Sequence, residues 1–178
     1  MEFFKIFLVK SPKVDKISTQ LSRLCSESPK IIEFDNKTHL VVKYNPDVYF
    51  SNLDAISKFF TKGNVIPLLM TNFKFLYLLK ESPNYDLIIN GFELSGGDDE
   101  EFQDLIFQHF DKLDLLKEFL HYNCQKISYF EFRHKDNRNY IRIYQTGVIS
   151  ITEGFEDTQE KNTLLGKIVG LLIEGNLI

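Results

Sequence analysis

The stretch KISYFEFRHKDNRNYIRIYQTGVISIT, residues 126–152, decides how this chain is read. Three short runs, Ile127–His134, Tyr140–Gln145 and Val148–Thr152, are separated by Lys135-Asp136-Asn137 and by Thr146-Gly147. Polar and glycine-containing turns between alternating runs predict an antiparallel meander. Because side chains alternate faces along a strand, Phe130, Phe132, Ile141, Ile143, Ile149 and Ile151 share one face, expected to pack on helices. The other face carries Tyr129, Glu131, Arg133, Tyr140, Arg142, Tyr144, Ser150 and Thr152. Tyrosine and arginine are the side chains that most often anchor interfaces. An ordinary solvated sheet has the same look, since cross-strand Tyr and Arg also stabilise exposed strands.

Outward from the meander, Asp98–Tyr122 reads as a helix, with Phe102, Leu105, Ile106, Phe110, Leu113, Leu116, Phe119 and Leu120 on one side. Its apolar spacing drifts near Asp111, where a break is expected. A last helix runs from about Thr158 to Glu174, burying Leu164, Leu165, Ile168, Val169, Leu171 and Leu172 and capped by Gly175. Upstream, Tyr85–Leu94 is a strand or a tight hairpin through Asn90-Gly91. Val65–Lys80 reads as two strands around Thr71-Asn72, because Pro67 disfavours a helix interior.

The N-terminal part begins with a strand over Phe3–Val9. Ser11-Pro12 opens a helix through Val14, Ile17, Leu21, Leu24 and Cys25 to about Glu27, stopped by Pro29. Ile31–Phe34 and Thr38–Tyr44 form a hairpin around Asp35-Asn36-Lys37. Ser51 and Asp54 resemble an N-terminal capping pair for a helix bearing Leu53, Ile56, Phe59 and Phe60, with Gly63 as its C-cap. The fold class is therefore α+β: antiparallel sheet or sheets packed against helices, in an order close to βαββαββ-βαβββα. Residues 1–178 read as one domain, and the halves 1–80 and 85–178 as a candidate duplication. Glu33-Phe34 and Leu40–Tyr44 in one hairpin match Glu131-Phe132 and Ile141–Tyr144 in the other. Hairpins also share composition for purely physical reasons.

With 43% hydrophobic and 26% charged residues, the 178-residue chain can bury a core of normal size. A net charge of -4 argues weakly against whole-surface binding to nucleic acid. The two cysteines, Cys25 and Cys124, are too few and too far apart for a disulfide scaffold. The start, Met1-Glu2-Phe3-Phe4, lacks the basic residues of a signal peptide, and no apolar run approaches the ~20 residues that span a bilayer. A cytoplasmic protein without membrane attachment is expected.

No motif commits the chain to a reaction, a cofactor or a metal. His121 and Cys124 sit three apart, but a zinc site needs three or four ligands at recognisable spacing. Cys25 falls on the apolar stripe of its helix, where burial raises a thiol's pKa and makes it a core residue. Ser95-Gly96-Gly97 precedes a helix as a phosphate loop does, yet Asp98, Asp99, Glu100 and Glu101 would repel phosphate there. Glu153, Glu156 and Asp157 are accounted for as caps of the final helix. Enzyme activity is unsupported by any of these.

Charge is unevenly spread. Over Lys126–Gln145, Lys126, Arg133, Lys135, Arg138 and Arg142 outnumber Glu131 and Asp136. Over Asp98–Glu118 the acids Asp98, Asp99, Glu100, Glu101, Asp104, Asp111, Asp114 and Glu118 face only Lys112 and Lys117. Faces of opposite sign suit steered protein association. The expectation is a protein-binding module, such as an immunity or inhibitor protein that neutralises a toxin. Its contact residues are Tyr129, Arg133, Arg138, Tyr140, Arg142 and Tyr144, together with the acids Asp98, Asp99, Glu100 and Glu101. The alternative is a nucleic-acid binder that stacks bases on the Tyr/Arg face.

Overall fold

In a computed structural model, residues 1–25, 27–34, 36–61, 65–95, 100, 104, 108, 112–122, 126–135, 139–152 and 158–174 are described. The elements run β1 (Glu2–Val9), α1 (Val14–Cys25), β2 (Lys30–Phe34), β3 (Lys37–Lys43), α2 (Pro46–Ser51), α3 (Leu53–Thr61), β4 (Val65–Pro67) and α4 (Asn72–Glu81). A 3₁₀ turn (Ser82–Tyr85) follows, then β5 (Leu87–Ser95), α5 (Leu113–Tyr122), β6 (Lys126–His134), β7 (Tyr140–Tyr144), β8 (Val148–Ile151) and α6 (Thr158–Glu174). Helices and antiparallel strands are mixed along the chain, which makes it an α+β protein. Two units separate: Met1–Leu69 with Thr146–Ser150, and Met70–Gln145 with Ile151–Ile178.

In the first unit β3 lies between β2 and β1, Leu40 opposite both Ile31 and Phe7. Asn36, at φ 55, makes the turn of the β2–β3 hairpin in the left-handed region that Asn tolerates. Phe7, Val9, Leu40 and Val42 meet Ile17 and Leu21 of α1 and Val65 of β4 in a buried cluster. Phe60 closes its edge, its ring 5.4 Å from that of Phe7. Removing such side chains from water contributes roughly 1.5–3 kcal/mol each.

Helix α2 was not read from the sequence. Asn45 is its N-cap, its side chain accepting from the Asp47 and Val48 N–H groups, and Pro46 occupies the first turn. The Asn-Pro pair is a helix-start signal in its own right. Ser51 therefore ends α2 instead of capping α3. At the other end of the unit, Gly147 adopts φ +75, and a Cβ there would lie 1.7 Å from the Leu68 carbonyl oxygen. Only glycine fits this turn.

The second unit corrects one expectation and decides between two others. Val65–Lys80 is not a pair of strands: β4 covers three residues, and α4 begins at Asn72, with Thr71 as N-cap accepting from the Lys74 N–H. Pro67 lies before the cap and never enters the helix. A continuous apolar run has no periodicity to separate a buried helix from a buried strand. Phe75, Leu76, Leu78 and Leu79 are all buried, because α4 packs against β6, α5 and α6. Of the two readings of Tyr85–Leu94 the strand holds: β5 runs through Asn90-Gly91 without turning back, with a register irregularity between Ile89 and Gly91 that leaves Asn90 unpaired.

On the buried side of this unit, Phe130 lies opposite Phe92 and Ile143, and Phe132 opposite Ile141. The Phe75 ring meets Phe130 edge-on at 5.4 Å, a favoured aromatic geometry. Asn72 Oδ1 accepts the Ile127 N–H at 3.0 Å, tying the start of α4 to the start of β6. The meander thus follows the expected alternation over Tyr129–Arg133 of β6 and in β7, while Ile127 is buried beyond a register irregularity at Ser128. The alternation fails in β8, whose Val148–Ser150 belong to the first unit: every residue is buried and Ser150 is 1% exposed instead of facing out. A strand covered on both faces shows no in–out pattern.

The expected helix over Asp98–Tyr122 is observed at its C-terminal end as α5, and Glu100, Asp104 and Gln108 are helical and exposed. Its remaining residues before 112, including the break near Asp111, lie outside the described residues, as do Gly63 and Gly175. Among the described residues no helix is long and apolar enough to cross a membrane.

Candidate functional site

The face of β5–β6–β7 opposite the aromatic core is built by register. Tyr129 stands opposite Tyr144 and Glu93, Glu131 opposite Arg142, and Arg133 opposite Tyr140 and Ile88. These pairs interact directly. The Tyr129 and Tyr144 rings are 5.6 Å apart, and the Arg142 guanidinium lies 5.3 Å from the centre of the Tyr129 ring. Glu131 is the hub: one carboxylate oxygen accepts from Arg142 Nε and the other from Asn90 Nδ2. Asn90 reaches it from the bulge of β5, which gives the irregularity a structural use.

The electrostatics follow from these contacts. Hydrogen bonding to Glu131 raises the Arg142 pKa above its ordinary value, with help from Tyr144. Burial pushes the Tyr129 phenol up; Arg142 opposes that shift, while Glu93 and Glu131 add to it. Arg133 is exposed, and Tyr140 is 38% exposed. The backbone N–H of Tyr140 donates to Thr152 Oγ1 at 3.0 Å, and its carbonyl accepts the Thr152 N–H at 3.0 Å.

Of the expected contact residues, Tyr129, Arg133, Tyr140, Arg142 and Tyr144 therefore come together on one surface. Arg138, Asp98, Asp99 and Glu101 lie outside the described residues, as do Cys124 and the acids Glu153, Glu156 and Asp157. Glu100 is exposed on its helix. The face is less basic than the run Lys126–Gln145 suggests, because β5 contributes Glu93 beside Tyr129 and Glu131 occupies Arg142. No linear count across one segment contains that strand.

A second cluster, in the first unit, escaped the sequence reading. Lys5 Nζ lies 5.4 Å from the centre of the Tyr49 ring and 6.0 Å from that of Tyr44. The two rings are 5.1 Å apart, and Phe50, 66% exposed, stands edge-on to Tyr49. Burial lowers the Lys5 pKa and raises those of Tyr44 and Tyr49. The signal was present as the Asn-Pro helix start, which places Tyr49 one turn from Tyr44. Beside it Lys43 binds Glu2 at 3.2 Å and Glu27 at 3.1 Å. Cys25 packs against the core, its thiol pKa raised by burial, which makes it a poor nucleophile.

Comparison with protein-family models, with curated proteins and with solved structures finds no match to this chain.

Proposed function

We propose that the protein is a protein-binding module and that the outer face of β5–β6–β7 is its contact surface. The observation that carries this reading is the Asn90–Glu131–Arg142–Tyr129 chain of contacts, with Tyr144 against both Arg142 and Tyr129. Side chains already held in place lose little conformational freedom on binding, so more of their burial appears as affinity. Tyr and Arg are the residues most enriched among binding hot spots. The near-balance of Glu93 and Glu131 against Arg133 and Arg142 favours a protein surface over a polyphosphate. Nucleic-acid affinity comes mainly from unpaired cations.

An inhibitor of the immunity type is the specific form of this reading, supported by the acid-rich segment Asp98–Glu118. A basic toxin would be drawn to such a segment at a rate that falls with salt. The test is affinity capture from the native cell with wild-type protein and with a Tyr140→Ala/Arg142→Ala double variant as parallel baits. The reading expects a partner held by the wild type and lost by the variant, whose melting temperature falls by no more than about 4 °C as the Glu131–Arg142 pair is lost. Equal recovery on both baits rules out this face. Retention of single-stranded RNA or DNA at ~50 mM salt, abolished by the same double substitution, would transfer it to nucleic acid.

A further inference from the structure

Between the 3₁₀ turn and β5, the last strand in the sheet order among the described residues, lies an open hollow of about 320 Å³, within the range of small-molecule sites. Its walls are Leu79 and Pro83 on one side and Leu87, Ile88 and Ile89 on the other. The polar groups on it are few and mostly engaged. Ser82 donates its hydroxyl to the Leu79 carbonyl at 3.0 Å. Asp86, in the left-handed conformation at φ 60, accepts the Lys135 N–H on its backbone carbonyl at 2.8 Å. Its carboxylate lies 4.0 Å from Lys167 Nζ.

That leaves Lys135, which lines the hollow, is exposed, and pairs with no acid among the described residues. An apolar well whose lining includes an exposed lysine, and whose one described carboxylate lies 4.0 Å from Lys167 Nζ, is complementary to an amphiphile with a negative head. We propose that this hollow binds an aliphatic carboxylate, its chain along Leu79, Leu87 and Ile89 and its head on the Lys135 ammonium. The site lies at the edge of β5 and is independent of the outer-face contact surface: either can fail alone.

The test is calorimetric titration of the whole chain with hexanoate, octanoate and octanol, with amide chemical shifts as a second readout. Octanoate binds, moving the Ile88 and Ile89 amides. Each methylene beyond hexanoate tightens binding by up to about fourfold, the value of one buried CH₂. Octanol and the K135E variant each bind about two- to fivefold more weakly, as loss of a surface ion pair predicts. Lys135 is exposed, so K135E retains the wild-type melting temperature. The proposal is overturned by absence of octanoate binding at millimolar concentration, or by equal affinity for octanol. Unchanged octanoate binding in K135E also overturns it, as does uptake of only a peptide with an apolar end.

Discussion

Glu131 and Arg142 face each other across the β6–β7 pair, and the Glu131 carboxylate holds both the Arg142 guanidinium and the Asn90 amide. The partners are unequally exposed: 14% for the Glu131 side chain and 38% for that of Arg142. Screening by water limits such a pair, so a Glu131→Ala/Arg142→Ala double-mutant cycle in urea should return a coupling of about 0.2–1 kcal/mol. The coupling should shrink in high salt. A value of zero at low salt would show that the pair organises nothing.

Gly147→Ala should be among the most damaging single-methyl additions in the chain. The new Cβ meets backbone at 1.7 Å, at a φ of +75 that alanine rarely adopts. Left-handed strain alone costs on the order of 1–3 kcal/mol, and the clash adds to it. A fall in melting temperature of at least about 5 °C is expected, since 1 kcal/mol corresponds to roughly 2–4 °C at this chain length. A wild-type melt would mean that the Leu68 carbonyl moves aside freely.

Two phenylalanines provide a contrast in burial. Phe75 has no exposed surface and packs edge-on against Phe130, so Phe75→Ala should lose about 3–5 kcal/mol. Phe50 is 66% exposed, and Phe50→Ser should stay within about 0.5 kcal/mol. Chemical denaturation of both variants checks the pair. A large loss at Phe50 would mean that it is covered in solution.

His39 gives stability a pH dependence. It is 2% exposed on β3 with its Nδ1 unpartnered, and burial lowers its pKa, opposed by a hydrogen bond to the Lys37 backbone. The unfolded chain therefore binds the proton more readily than the native one, and stability rises with pH between the two pKa values. It is complete above the ordinary histidine value of about 6.5 and lost progressively as pH falls below it. Urea melts at several pH values should show this slope in the wild type and a flatter one in His39→Leu. Parallel slopes would remove His39 as the cause.

Local chemistry was enough to identify much of the chain. The turn residues Asn36 and Gly147 and the strict alternation in Tyr129–Arg133 and Tyr140–Tyr144 each depend on neighbours within a few residues. Those segments adopt the conformations that their own spacing dictates, and the Tyr129, Arg133, Tyr140, Arg142 and Tyr144 face follows from the alternation alone. Tertiary structure decided the rest. Asn72–Glu81 became a helix because three partners surround it, a fact that a continuous apolar run cannot encode. Ser150 is likewise buried, against the alternation that its strand shows in sequence. The electrostatics of the face depended on strand pairing, which brings Glu93 and Asn90 of β5 to residues about forty positions away and balances charges that look basic when read along the chain.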